Sequence, residues 1–333
     1  MTRLSRRSLT LGLLSGAALV ATGASLRLGR SERALVIGAG PAGALAAAGL
    51  ARQSPGASVV LLERDPTRLG RDTAATAFER PAPGLSLAAL AAAGVSVKID
   101  EVTGVDWRAG RAALFSGRSL AFDRLILAPG TAPRAEDIAG LDAVARHDWP
   151  AAWGSEREAR RLAAQLAALP ARGHVVLRLP AEIGAPQVAL GRALTLARKV
   201  AQTEGARLTV LDESGDAALA GAFAIAAGLQ GLTRNMRWIG ADQGAKVLAV
   251  DSRRGRIETA AGRITADVVN FIAPQEAGRL AQAAGLTDAS GWCPTDAESR
   301  STRVEGAVIL GDARKGAIRN FESARASAQA LTA

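Results

Sequence analysis

The chain has 333 residues, 48% hydrophobic and 22% charged, enough for two domains of roughly 150 residues with sizeable cores. Its formal charge of +10 comes mostly from single Arg spread along the chain, without an aromatic-interleaved basic block, and that pattern argues against nucleic acid as a partner. One cysteine, Cys293, and two histidines, His147 and His174, exclude an intramolecular disulfide and a Cys-based metal cluster and are too few for a convincing zinc site.

The first element is an address. Ser5-Arg6-Arg7-Ser8-Leu9 leads into an apolar run from Leu9 to Ala24, with small residues at Ala21 to Ala24 where a signal peptidase would cut. The paired arginines make it resemble a twin-arginine signal, a route that carries folded, cofactor-loaded proteins to the periplasm. An uncleaved N-terminal anchor is the other reading of the same run. Without residues 1 to 24, which carry Arg3, Arg6 and Arg7, the net charge falls from +10 to +7, a mildly basic surface suited to acidic proteins or small anions. No other apolar stretch nears the roughly 20 residues that a spanning helix needs, so no membrane contact is expected beyond the uncleaved signal.

Residues Arg33 to Ile37 read as a buried strand, followed by Gly38-Ala39-Gly40-Pro41-Ala42-Gly43, an Ala-rich helix to about Gln53, and a second strand from Ser58 that ends on Glu63. Gly38 suits the tight turn, Gly40 lets a pyrophosphate approach the backbone, and Gly43 lets helix and strand pack closely. The helix start at Pro41 and Ala42 offers N–H groups and a positive dipole end to phosphates. Glu63, followed by Arg64, stands where an acid accepts hydrogen bonds from ribose hydroxyls. In a chain with 36 glycines the bare three-glycine pattern recurs by chance roughly 0.4 times, so its weight comes from the strand, helix and acid around it.

Two later segments extend the pattern. Asp123 to Gly130 reads as a strand closing on Ala128-Pro129-Gly130, and Gly306 to Ala313 as a strand closing on Gly311-Asp312. They resemble the A-P-G turn and the late G-D motif of two-dinucleotide flavoproteins, which implies FAD, with Asp312 on the ribityl chain. Between them a second βαβ unit is predicted: strand Gly173 to Leu179, helix Pro186 to Gln202, strand Ala206 to Leu211 ending at Asp212. Its connecting turn, Pro180 to Pro186, has a single glycine, Gly184, where nicotinamide binding needs a glycine loop. The expected fold class is α/β, with two interleaved Rossmann-like domains of the disulfide-reductase type. Residues 1–30 form the address and linker, 31–137 plus 270–333 the FAD domain, and 138–269 the second domain.

Asn270 to Gly278, Ala284 to Asp296 (A-G-L-T-D-A-S-G-W-C-P-T-D) and His147-Asp148-Trp149 resemble segments of the flavoprotein subunit of flavocytochrome c sulfide dehydrogenase. The resemblance implies a periplasmic FAD enzyme that oxidises sulfide, or another small reduced sulfur compound, beside a redox-active cysteine pair and passes electrons to a c-type cytochrome. Cys293 matches the second cysteine, and the first falls on Ala185; Cys293 is thus either a candidate thiolate beside the flavin or a small buried residue left without its partner. Around Asp72 to Pro81 no cysteine matches the one that can hold FAD covalently, so non-covalent FAD is expected. The family's Lys-Ser region is not reproduced in Arg314 to Ser327, and its C-terminal interface domain has no counterpart after the G-D motif. Three functions follow: sulfide-type oxidoreductase, an FAD- or cytochrome-binding relative without turnover, and an NAD(P)H-dependent flavin reductase, which the Pro180 to Pro186 turn disfavours. His147 and Trp149 are candidates for the flavin region by resemblance; His174, at a strand start, reads as structural.

Overall fold

The computed structural model describes residues 32–72 and 82–332; the predicted export signal and nearly all of the Asp72 to Pro81 segment lie outside them. Among the described residues no helix is long and apolar enough to cross a membrane.

The first strands are short apolar runs, as expected of parallel strands covered on both faces. Strand β1 (Arg33–Ile37) pairs on one side with β2 (Ser58–Glu63), and β2 with β3 (Val95–Ile99). On its other side β1 pairs with β4 (Arg124–Leu127). The last strand of this sheet, β9 (Ala307–Ile309), comes from the far end of the chain and pairs with β4. All four pairings are parallel and the order is β9-β4-β1-β2-β3.

Because side chains alternate across a strand, Ala34 and Val36 join Leu61, Ile126 and Val308 on one face, while Leu35 and Ile37 join Leu62, Leu125 and Ile309 on the other. The first face is covered by helix α1 (Pro41–Gln53) and by the C-terminal helix Phe321–Leu331, which pack on each other through small residues such as Ala46, Ala47 and Ala328. An antiparallel meander, Val102–Asp106, Arg111–Leu114 and Ser119–Ala121, contributes Val102, Ala112 and Leu114 to the second face.

A second, four-stranded parallel sheet is built from the middle of the chain, β5 (His174–Leu179), β6 (Arg207–Asp212), β7 (Met236–Ile239) and β8 (Val268–Phe271), in the order β7-β6-β5-β8. Helices α2 (Glu156–Ala167), α3 (Pro186–Ala201) and α4 (Ala217–Leu229) cover one face through Leu162, Leu196 and Phe223. A second meander covers the other through Val247, Val250 and Ile257. Strand β8 belongs to this sheet, so the chain leaves the second unit after Phe271.

Two crossovers join the units, and they pair with each other: Thr131–Pro133 runs antiparallel to Gln275–Ala277. Arg178 of β5, 1% exposed, then ties both crossovers to the second sheet. Its Nη1 and Nη2 fork onto Glu136 at 2.9 and 2.6 Å, Nη1 also donates to Ile272 O at 2.8 Å, and Nε donates to Glu213 at 2.8 Å. The Phe271 ring lies 4.8 Å below the guanidinium. Burial alone would drive the Arg178 pKa down; the two carboxylates outweigh it and hold it above its ordinary value. Removing one partner of such a cluster strands buried charge and typically costs about 3–5 kcal/mol. Arg178→Met is therefore expected to lower unfolding stability by about that much in a denaturant titration, and adding Glu136→Gln and Glu213→Gln to it should recover part of the loss.

Candidate functional site

The C-terminal ends of β1, β2, β4, β5 and β9 converge on a cavity of about 820 Å³, the place where open parallel sheets bind ligands. It opens on the glycine turn. Gly38 follows β1 with φ +101°, a conformation that L side chains rarely adopt, and a Cβ there would lie 2.3 Å from Ala128 O. A Cβ on Gly43 would lie 1.8 Å from Gly38 O, so this residue lets α1 sit directly on the turn, and Gly43 itself does not line the cavity. Gly40 is different: a Cβ there meets nothing within 4 Å, leaving open space in front of the start of α1. Gly40 is the cap residue of α1, Pro41 follows, and no side chain caps the first turn. The first N–H groups, of Ala42 and Gly43, have no partner within the helix and carry its positive dipole end.

Glu63, at the end of β2, is 6% exposed. Its Oε2 accepts from Ala39 N at 2.7 Å and its Oε1 from Asp65 N at 2.8 Å. A carboxylate offers about four lone-pair sites, so acceptor capacity remains toward the cavity that Glu63 and Arg64 line.

Ala128, Pro129 and Gly130 form the wall beyond β4, and Gly311 and Asp312 the wall beyond β9. Asp312 Oδ1 is buried without a hydrogen-bond partner among the described residues. Burial pushes the Asp312 pKa up to about 6, against the pull of Arg319 and Arg314. In the order β9-β4-β1-β2, β9 and β2 stand three strand spacings apart, roughly 14 Å. The glycine turn lies between Asp312 and Glu63. That spacing suits an extended ligand with hydroxyls at both ends and anionic groups in the middle.

The second unit closes the cavity. Trp153 and Gly154 line it, and Arg68, also in the lining, donates to Gly154 O at 3.1 Å. The segment before Trp153 is fixed from the core: Arg192 Nη1 bonds Asn270 Oδ1 at 2.8 Å and Ala151 O at 3.1 Å, and Asn270 Nδ2 bonds Pro150 O at 2.8 Å. The Pro180 to Pro186 turn supplies Glu182, Ile183 and Gly184, and Glu182 pairs at the surface with Arg134 at 3.0 Å. At the end of β6 the acids serve the second unit itself. Asp212 accepts from Ser214 N and Oγ at 3.0 and 2.5 Å, and Glu213 is engaged by Arg178 and by Val247 N at 3.2 Å.

Three candidates from the sequence, Cys293, Trp149 and His147, need correction, whereas His174 is structural as expected. Cys293 is fully buried among Leu35, Leu127, Leu286 and Ile309 and does not line the cavity. Its backbone bonds Ala313 and Lys315, and burial with the nearby Asp288 charge raises its pKa to about 11. A thiol in that state is protonated at neutral pH and is neither nucleophile nor redox partner to a ligand in the cavity. Trp149 is likewise core, stacked on Phe271 with centroids 6.2 Å apart, while His147 is exposed, and neither lines the cavity. His174 is buried between Thr265 O at 2.7 Å and Thr209 Oγ1 at 2.9 Å, with its pKa lowered by burial.

The other predicted residues, Gly38, Gly40, Pro41, Ala42, Glu63, Arg64, Ala128, Pro129, Gly130, Gly311 and Asp312, come together around the cavity. Sequence reasoning missed Arg68, Trp153 and Arg319, which no spacing marks. Among the described residues no group of three or more His, Cys, Asp or Glu could hold a metal ion.

Residues 32–329 match the family model of the pyridine nucleotide-disulphide oxidoreductases, and the chain belongs to that family. Its fold is similar to that of the sulfide:quinone oxidoreductase of the hyperthermophilic bacterium Aquifex aeolicus, with a TM-score of 0.70 at 16% identity over 91% of this chain and 76% of that one. It is similar to putidaredoxin reductase in its covalent complex with putidaredoxin (TM-score 0.71, 18% identity, 91% and 75% coverage). It is also similar to an NAD-dependent persulfide reductase from A. fulgidus (TM-score 0.70, 18% identity, 90% and 58% coverage). At these identities the likeness is one of fold: α/β, with parallel sheets matching the Rossmann domains of disulfide oxidoreductases.

The Asp312 carboxyl sets a pH signature. Its pKa is about 6 in the fold against an ordinary 3.8, so the unfolded chain loses this proton first as pH rises. Stability therefore falls between about pH 4 and 6 and stays reduced above, by an amount on the order of 2–3 kcal/mol. Asp312→Asn should raise the stability of the cofactor-free protein at pH 7.5 by up to that amount and leave it unchanged near pH 4, measured by denaturant titration at both.

Proposed function

We propose that this protein is an exported, FAD-dependent oxidoreductase that binds FAD non-covalently in the cavity between its two units. The single observation that carries this reading is the orphaned, buried Asp312 Oδ1, which stands in one cavity with the open backbone at Gly40 and the acceptor Glu63. In this reading the α1 N-terminus takes the pyrophosphate, Glu63 the adenosine ribose, Asp312 a ribityl hydroxyl, and Pro129-Gly130 the wall behind the ring. When bound, FAD supplies a two-electron acceptor that the chain's own side chains lack. The chain's part is to orient it: Gly38 and Gly43 hold α1 against the turn, while the Trp153 and Gly154 segment shields the cavity from water. The absence of cysteine outside Cys293 leaves no thiol for covalent flavin attachment.

The donor in this proposal is sulfide or another small reduced sulfur compound, and the acceptor a c-type cytochrome in the periplasm, reached by the twin-arginine route. Support comes from the likeness of Ala284 to Asp296 to flavocytochrome c sulfide dehydrogenase and from the paired Arg6 and Arg7. The burial of Cys293 favours a variant of this reading, in which a protein that holds FAD or docks a cytochrome has given up thiol-dependent sulfide turnover. Nicotinamide as donor is disfavoured by the commitment of Glu213 to Arg178 and by the single glycine of the Pro180 to Pro186 turn.

Two measurements test the reading. Purified protein should be yellow and release its flavin to the supernatant on acid precipitation, whereas Gly43→Val, whose side chain collides with Gly38 O, should lose at least nine-tenths of it. A colourless protein indifferent to added FAD refutes the site. Cys293→Ser should change sulfide-dependent bleaching of the flavin less than about twofold; a tenfold loss, about 1.4 kcal/mol of barrier, would return the thiol to the chemistry.

A further inference from the structure

Among the charged groups that line the cavity and have no role above, Arg319 stands beside Asp312. It precedes Asn320, the cap of the C-terminal helix. Its guanidinium carbon lies over Trp292, 3.4 Å from the ring centroid. Nε donates to the Asp312 carbonyl at 3.2 Å and Nη2 to Arg314 O at 3.3 Å. Both bonds are to backbone carbonyls; burial lowers the Arg319 pKa, and the carboxylate that counters this is that of Asp312 beside it. Among the described residues Arg319 makes no ion pair, and Asp312 Oδ1 beside it stays without a partner.

The second unit makes room for this side chain. A Cβ on Gly184 would lie 3.2 Å from Arg319 Cδ and 3.4 Å from Nη1, so Arg319 packs across to the turn that a nucleotide would occupy in a second dinucleotide site. A planar guanidinium stacked on an indole is pre-organised in a way that a flexible ammonium is not. Of its basic neighbours, Lys315 is paired with Asp288 at 2.7 Å and Arg314 is bonded to Ser299 Oγ at 3.0 Å, and neither lines the cavity.

We propose that Arg319, fixed on Trp292, is the cation that faces the negative charge of the reduced flavin ring, so that the protein binds reduced FAD more tightly than oxidised FAD. This rests on the FAD reading of the cavity. Uptake of two electrons and one proton, the proton going to ring N5, leaves one negative charge spread over N1 and its neighbouring carbonyl oxygen. A positive charge fixed beside the ring stabilises that form and leaves the neutral oxidised ring nearly unaffected.

The test is the midpoint potential of the bound flavin at pH 7.5, titrated with dithionite as reductant, beside free FAD in the same buffer. The wild-type protein should prefer reduced FAD at least tenfold, a potential about 30 mV above that of free FAD for this two-electron couple. Arg319→Gln should lose about tenfold of that preference while still binding FAD, and Arg319→Lys should keep more than half of the shift. A wild-type potential at or below that of free FAD overturns the proposal, and so does an Arg319→Gln shift smaller than threefold, about 15 mV. Should Arg319→Gln not fold, the wild-type comparison alone decides. A colourless wild-type protein refutes the FAD reading and this inference with it; a yellow protein with an unmoved Arg319→Gln potential refutes this inference alone.

Discussion

The arrangement of the two units depends on one buried guanidinium. Arg178 is almost wholly removed from water, yet it carries a charge that must be matched, and its match comes from three separate stretches of chain: Glu136 on the outgoing crossover, Ile272 O on the returning one, and Glu213 beyond β6. A buried fork of this kind has little tolerance for displacement, because any opening exposes an unpaired charge to an apolar interior. The crossovers are thus fixed to the second sheet as well as to each other, and the cavity walls on either side inherit that registration.

The cavity itself follows from parallel topology. Strands buried on both faces can present ligand-binding backbone only where they end, and five such ends, after Ile37, Glu63, Leu127, Leu179 and Ile309, meet in one place. Two opposite charges stand side by side there: the Asp312 carboxyl, with a buried oxygen that bonds nothing among the described residues, and the Arg319 guanidinium, bonded to carbonyls only. Buried polar groups are normally satisfied, so the unpartnered Asp312 oxygen beside a cavity favours a ligand there. The same logic separates cofactor from chemistry. The residues proposed to hold a flavin line one cavity, whereas the thiol of the resembled sulfide chemistry is packed into the core with its pKa raised to about 11.

Much of this was legible in the chain. The runs Arg33 to Ile37, Asp123 to Gly130 and Gly306 to Ala313 declare buried strands ending in turns, and the structure gives strands at Arg33–Ile37, Arg124–Leu127 and Ala307–Ile309. Glu63 was readable because its distance from the glycine turn is set by one helix and one strand, both local. For Cys293 the sequence left a thiolate beside the flavin and a small buried residue both open, and its burial is decided by Leu35 and Leu127, both remote in sequence.

The sequence by itself determined the two βαβ units and the turns that line the cavity at the strand ends of the first, since hydrophobic period, glycine placement and strand-to-acid distance are properties of short segments. Only the tertiary structure decided that Cys293 is core, that Arg178 locks the crossovers and that Arg319 stands beside Asp312. Each of these depends on which distant residues share a side chain's surroundings, and burial and charge compensation are set by that company rather than by the residue's own neighbours in the chain.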